Sequence, residues 1–160
     1  MRIFVQHANA QHPQELGNLN RLLELEKKAG LGSLEVYEMF SYKVKKVKME
    51  ILAALIKLKE AGKSIVVYGA AAKGNTLLNY CGIGKDFIDY AVDQNPRKQT
   101  TFLPGTHIPV LHPDKIRETQ PDYLLILPWN IKEEIIDQMS FIREWGGKFV
   151  IPIPHLEILP

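Results

Sequence analysis

From Ser64 onward the chain alternates short apolar runs with helix-patterned segments. This alternation is the sequence sign of a mostly parallel sheet flanked by helices. Strands are predicted at Ser64–Tyr68, Phe87–Val92, Ile108–Val110, Tyr123–Leu127 and Lys148–Ile153. The intervening helices are predicted at Asn75–Cys81, Pro113–Glu118 and Ile131–Trp145, the last stopping at Gly146-Gly147. Residues 94–106 contain Asn95-Pro96 and Pro104-Gly105 and read as a loop.

The junction after the first of these strands is the most specific motif. Gly69, Ala71 and Gly74 fit the spacing G-x-[G/A]-x-x-G. Gly69 allows a tight turn, Ala71 lets backbone approach a ligand, and Gly74 brings helix against strand. Free N–H groups of the following turn face an anion, and Lys73 adds a positive charge beside them. The same small-residue turn also serves pure packing. A P-loop is disfavoured, because Asn75 stands where that motif needs a lysine after the second glycine, and Lys73 precedes Gly74. The predicted fold class is therefore α/β: a Rossmann-like, mostly parallel sheet with helices on both faces, preceded by an N-terminal helical segment.

Upstream, Arg2 to Val5 reads as a short strand without a local partner, as if cut from something larger. A helical stretch begins at His12-Pro13, carries Leu16, Leu19, Leu22, Leu23 and Leu25, and stops at Gly30. A second helix runs from a Ser33 cap to Ala61, with Gly62 as its stop. Val36, Phe40, Val44, Val47, Ile51, Leu55 and Leu58 form one apolar stripe along it, long enough for part to pack on a neighbouring domain. The lysines between them read as a solvated face. Residues 1–62 are thus expected as a strand-and-helix appendage, and 63–160 as the sheet domain.

With 160 residues, 46% of them apolar, the chain can bury one substantial core. Its formal charge of +2 is too small for a strong nucleic-acid footprint, and its aromatics are not interleaved with a basic stripe. Neither nucleic acid nor membrane is an expected partner, since no apolar run reaches transmembrane length. The lone Cys81 leaves no intramolecular disulfide and no multi-cysteine zinc site, and with no signal peptide at Met1 this predicts a cytoplasmic protein.

In a sheet of this kind, ligands collect beyond the carboxyl ends of the strands. Gly69–Asn75, Asp93-Gln94-Asn95, His112, Pro128-Trp129-Asn130 and His155 fall at those ends in turn. Asp93 follows Gly74 at the distance where a carboxylate accepts ribose hydroxyls, or alternatively caps its own turn with Asn95 and Pro96. Lys73, Arg97 and Lys98 could surround a diphosphate or simply be solvated. Trp129 suits stacking on a base or sugar, or a core anchor, and Asn130 offers both donor and acceptor. His107 and His112 flank a strand without a supporting acid, so no metal site is expected. No serine lies in a nucleophile elbow.

Five ordered motifs resemble one family. Tyr68-Gly69-Ala70-Ala71-Ala72-Lys73-Gly74-Asn75-Thr76-Leu77-Leu78-Asn79 is followed by Asp93-Gln94-Asn95-Pro96 with Lys98-Gln99, then Leu103-Pro104-Gly105-Thr106-His107-Ile108-Pro109-Val110, Trp129-Asn130 and Glu134-Ile135. Over roughly Val36 to the end, this is similar to the C-terminal domain of SAM-dependent sugar C-methyltransferases. The resemblance implies that zinc-binding and SAM-binding domains precede this one and that a nucleotide-diphosphate sugar lies between the last two. Arg2 to His7 resembles the final strand of the SAM-binding domain, and the family's catalytic acid/base residues belong outside this chain. No cofactor is then expected within the chain itself, SAM being bound by the other domain, and no catalytic residue is carried over. The substrate-binding set implied is Tyr68, Gly69, Lys73, Gly74, Asn75, Asp93, Asn95, Lys98, His107, Trp129 and Asn130. A weaker analogy links the glycine turn and Pro104-Gly105-Thr106 to the nucleotide-sugar-binding domain of some sugar acyltransferases.

The expected function is to hold a nucleotide-sugar and orient its sugar for methyl transfer, with the isolated chain inactive. An NAD(P)- or CoA-binding module and a non-catalytic association domain are the alternatives.

Overall fold

The computed structural model describes residues 5–10 and 16–160. The strand expected at Arg2–Val5 and the helix start at His12-Pro13 fall outside the described residues, apart from Val5, which is in no regular element. Packing divides the chain into two compact units, Met1–Tyr42 and Lys43–Pro160. The first contains α1 (Leu16–Lys28) and the beginning of α2 (Leu34–Glu60). The α1 helix ends in a left-handed Gly30 with φ 72°, whose N–H donates to the Lys27 carbonyl while Leu31 N–H reaches the Glu26 carbonyl. These bonds satisfy carbonyls that the last helical turn leaves open. No residue of α1 is buried.

The boundary between the two compact units falls inside α2. Ile51 and Leu55 on the second half of α2 are each only 1% exposed and join Ile65, Val67, Leu78, Leu125 and Val150 in one core cluster. Burying such side chains stabilises by roughly 1.5–3 kcal/mol each, so this half of the helix belongs to the sheet unit. Val47 and Leu58 pack beside them, whereas Phe40 on the same stripe remains exposed.

The sheet unit has six strands: β1 (Ile65–Tyr68), β2 (Ala91–Val92), β3 (Val110–Leu111), β4 (Tyr123–Ile126), β5 (Lys148–Ile151) and β6 (Glu157–Leu159), in the spatial order β3-β2-β1-β4-β5-β6. All neighbours run parallel except β5 and β6, which are antiparallel. Side chains alternate along β1, so Ile65 and Val67 enter the core under α2 and α3 (Ala72–Cys81), while Val66 and Tyr68 enter a second core. That second core contains Ile116 of α4 (Lys115–Thr119), Ile135 of α5 (Lys132–Gln138) and Ile142 of a 3-10 segment, Ser140–Trp145. Both faces are covered, which is why β1 reads as an unbroken apolar run. The α/β class, with a mostly parallel sheet and a preceding helical segment, is the observed architecture.

Several boundaries differ from the sequence reading. The α3 helix begins at Ala72 instead of Asn75, because Gly69 at φ 96° makes the turn alone and Ala71 is already the extended residue before the helix. The helix expected at Ile131–Trp145 is interrupted at Met139, an arrangement in which Ile135, Met139 and Ile142 are all buried. Strand β6 is absent from the sequence reading, since it is a short edge strand among prolines.

Candidate functional site

The strand order reverses about β1, since β2 lies on one side of it and β4 on the other. In sheets of this kind ligands collect beyond the strand carboxyl ends at such a reversal, where here the turns that follow β1 and β4 adjoin. Two glycines make that approach possible. A Cβ on Gly69 would stand 2.6 Å from Cδ and Cγ of Pro128, and one on Gly74 would stand 2.5 Å from the Leu127 Cβ. The glycine turn therefore packs directly against the Leu127 and Pro128 side chains that follow β4.

Ala71 supplies no side-chain cap to α3, whose first turn holds Ala72, Lys73 and Gly74. Donors there carry part of the positive end of the helix dipole. Lys73 is exposed, with its ammonium 4.6 Å from the centre of the Trp129 ring and hydrogen-bonded to Asn130 Oδ1. Three expected site residues from two separate motifs thus meet where these turns adjoin. Cation–π attraction and the hydrogen bond hold the lysine over β4's end beside the uncapped turn.

Asp93 follows β2 and is 9% exposed, the one buried charged residue among those described. Its Oδ2 accepts hydrogen bonds from Ala70 N–H at 2.8 Å and Lys98 Nζ at 3.1 Å, and its Oδ1 accepts one from Asn95 N–H at 2.9 Å. Burial pushes the Asp93 carboxyl up, but the two backbone donors and Lys98 outweigh it and hold the group below the usual carboxylate range. Asn95 in turn accepts from Arg97 N–H through its side-chain oxygen at 3.0 Å, forming the capped turn that the sequence allowed as an alternative. Lys98 Nζ also donates to the Ala70 carbonyl at 3.0 Å.

The remaining candidates lie around this centre without all converging on it. Tyr68 turns into the second core, donating to Gln138 Oε1 at 3.2 Å, and burial pushes its phenol up. The Asn75 side-chain oxygen is enclosed and has no hydrogen-bond partner among the described residues. His107 is exposed at φ 54° on a loop after Pro104-Gly105. Asn79 docks that loop on α3, its Nδ2 donating to the Asn75 and Pro104 carbonyls at 2.9 and 3.0 Å. Gly105, at φ 82°, leaves the space Asn79 needs, since a Cβ there would fall on the Asn79 side-chain oxygen. Neither Asn79 nor Gln99, whose Nε2 donates to the Asp93 carbonyl at 2.9 Å, has a role assigned from sequence. Both stand inside the family-like motifs, which was the one signal available for them.

Residues 1–154 match the family described as the C-methyltransferase C-terminal domain. The chain belongs to that family. The C-methyltransferase NovU of Streptomyces niveus is 33% identical to this C-terminal domain over 157 residues, 98% of the chain. The chain spans 37% of the length of that relative. A solved structure, the UDP-D-quinovosamine 4-dehydrogenase of Vibrio fischeri, is similar over 61% of this domain and 93% of its own chain, at 20% identity and a TM-score of 0.45. No helix among the described residues of the domain is long and apolar enough to cross a membrane.

Proposed function

We propose that this C-methyltransferase C-terminal domain binds the diphosphate of a nucleotide-sugar at the crevice between β1 and β4, and orients the sugar toward SAM held by another domain. The observation that carries the reading is the uncapped first turn of α3 beside the Lys73–Asn130–Trp129 group. Helix donors and a lysine attract an anion, while Trp129 offers an aromatic face to a base or sugar. The same positive field disfavours the sulfonium of SAM, so these residues do not fit that cofactor. Gly69 and Gly74 serve by allowing close approach, and Tyr68, Asn75, Asp93, Asn95, Lys98 and His107 belong to the elements framing the crevice. The domain's contribution to methyl transfer is geometric: a fixed sugar removes orientational freedom from the reaction. It works in the cytoplasm.

Thermal unfolding with a deoxythymidine diphosphate sugar, NAD and SAM tests this, because a ligand bound only by the folded chain raises the midpoint. Stabilisation by the nucleotide-sugar alone is the expected result. Stabilisation by NAD alone would assign a dinucleotide module instead, and no response to any of them would leave an association domain.

A further inference from the structure

Both backbone polar groups of Ala70, the residue between the left-handed Gly69 and the extended Ala71 before α3, are held by one pair of side chains. Ala70 N–H donates to Asp93 Oδ2 and Ala70 C=O accepts from Lys98 Nζ, while Lys98 and Asp93 bond each other, which closes a ring. The ring is itself anchored. Asn95 N–H donates to the second Asp93 oxygen, Gln99 donates to the Asp93 carbonyl, and Asp93 N–H donates to the Leu111 carbonyl of β3.

Fixing Ala70 on both sides fixes two peptide planes. In a trans peptide the C=O and the following N–H point in opposite directions. With the Ala70 carbonyl held on Lys98, the Ala71 N–H must therefore point away from the Asp93–Lys98 pair. Three acceptor positions of the Asp93 carboxylate are already used inside the protein, which leaves it little capacity for a ligand hydroxyl.

We propose that Asp93 and Lys98 are positioning residues that aim the Ala71 N–H and the first turn of α3 at a diphosphate, and do not themselves contact ribose or phosphate. The proposal rests on the diphosphate reading above. It replaces a ribose-binding role for the acid after β2 with a brace between two loops.

Calorimetry on the full chain with two probes, deoxythymidine diphosphate and inorganic pyrophosphate, separates the roles because only the first carries a ribose. Asp93→Ala is expected to weaken both probes by the same factor, about tenfold, as the loss of a charge-assisted brace implies. Asp93→Asn, which keeps an acceptor for Ala70 N–H, recovers part of that loss. Lys98→Met weakens both probes in the wild-type background and adds little in the Asp93→Ala background, since the two act through one ring. A loss in Asp93→Ala confined to deoxythymidine diphosphate would overturn the proposal in favour of ribose contact, and additive losses would overturn it in favour of direct phosphate contact by Lys98. Hydrogen exchange of the Ala70 amide reads the brace without ligand: it should quicken in Asp93→Ala and Lys98→Met, and unchanged exchange would also overturn the proposal. A wild-type chain that binds neither probe removes the diphosphate reading and the ligand-aiming role with it, while the Ala70 amide still decides whether the brace exists. Should Asp93→Ala fail to fold, Asp93→Asn and Lys98→Met carry the same comparison.

Discussion

Gly74 on α3 lies so near Leu127 at the end of β4 that a Cβ placed on it would stand 2.5 Å from the Leu127 Cβ. Helix and strand touch there through the missing side chain, and this contact seats the first turn of α3 at the crevice. Stability and the site are thus tied to one position.

Gly74→Ala should therefore lower stability by about 1–3 kcal/mol, the usual cost of overpacking a closed interior. Pairing it with Leu127→Ala should recover only part of the loss, because alanine removes the Leu127 Cδ1 and Cγ that would lie 2.8 and 3.0 Å away but retains the Cβ at 2.5 Å. Urea midpoints of the variants check this, and a Gly74→Ala chain as stable as wild type would show that the helix shifts freely.

Gly69 combines two constraints, a left-handed φ of 96° and a Pro128 ring that would lie 2.6 Å from any Cβ added there. Gly69→Ala should cost more than about 1–2 kcal/mol, the strain of a left-handed residue, with the steric clash added. In the double variant with Pro128→Ala the ring atoms are gone and the strain remains, so part of the loss should return. Denaturation midpoints would expose an error here as full recovery or none.

The strand and helix alternation after Ser64 was legible because burial of both sheet faces leaves unbroken apolar runs such as Ile65–Tyr68, and the glycine turn was legible because Gly69 and Gly74 are required by contacts at their own positions. Membership in the C-methyltransferase family was legible from ordered motifs. What stayed hidden was long-range. Asn79 meets the Pro104 carbonyl 25 residues away, and Asp93 clamps Ala70 at a separation of 23, pairings that leave no local pattern.

Asp122 holds the start of β1, accepting hydrogen bonds from Ser64 N–H and Ser64 Oγ at 2.9 Å each and from Lys63 Nζ at 2.9 Å. The Ser64 N–H first, and Lys63 second, hold its carboxyl below the usual range. A carboxylate whose folded pKa is depressed contributes stability that is fully present above its unfolded value, about 3.9, and is lost as pH falls through the folded value. Asp93 shifts in the same direction and adds to the same window. Wild type should lose urea resistance below about pH 4, and Asp122→Asn should lose less over that interval. Equal slopes for the two proteins would count against the clamp.

Lys73 is exposed, so its charge is screened and its removal should matter for ligand more than for folding. Lys73→Ala should leave the unfolding midpoint nearly unchanged and weaken binding of a deoxythymidine diphosphate sugar by roughly threefold to tenfold at low salt, with the difference shrinking as salt rises. Calorimetry at two ionic strengths measures it. A salt-independent loss would point to a neutral hydrogen bond in place of charge.

Everything above turns on a nucleotide diphosphate sitting on the first turn of α3. Amide chemical shifts recorded while a deoxythymidine diphosphate sugar, and separately SAM, is titrated into the chain test it most directly. The account predicts saturable shifts at Gly69–Asn75 with the nucleotide-sugar and no saturable response to SAM. Shifts confined to α2, or saturation of the glycine turn by SAM with none by the nucleotide-sugar, would contradict it.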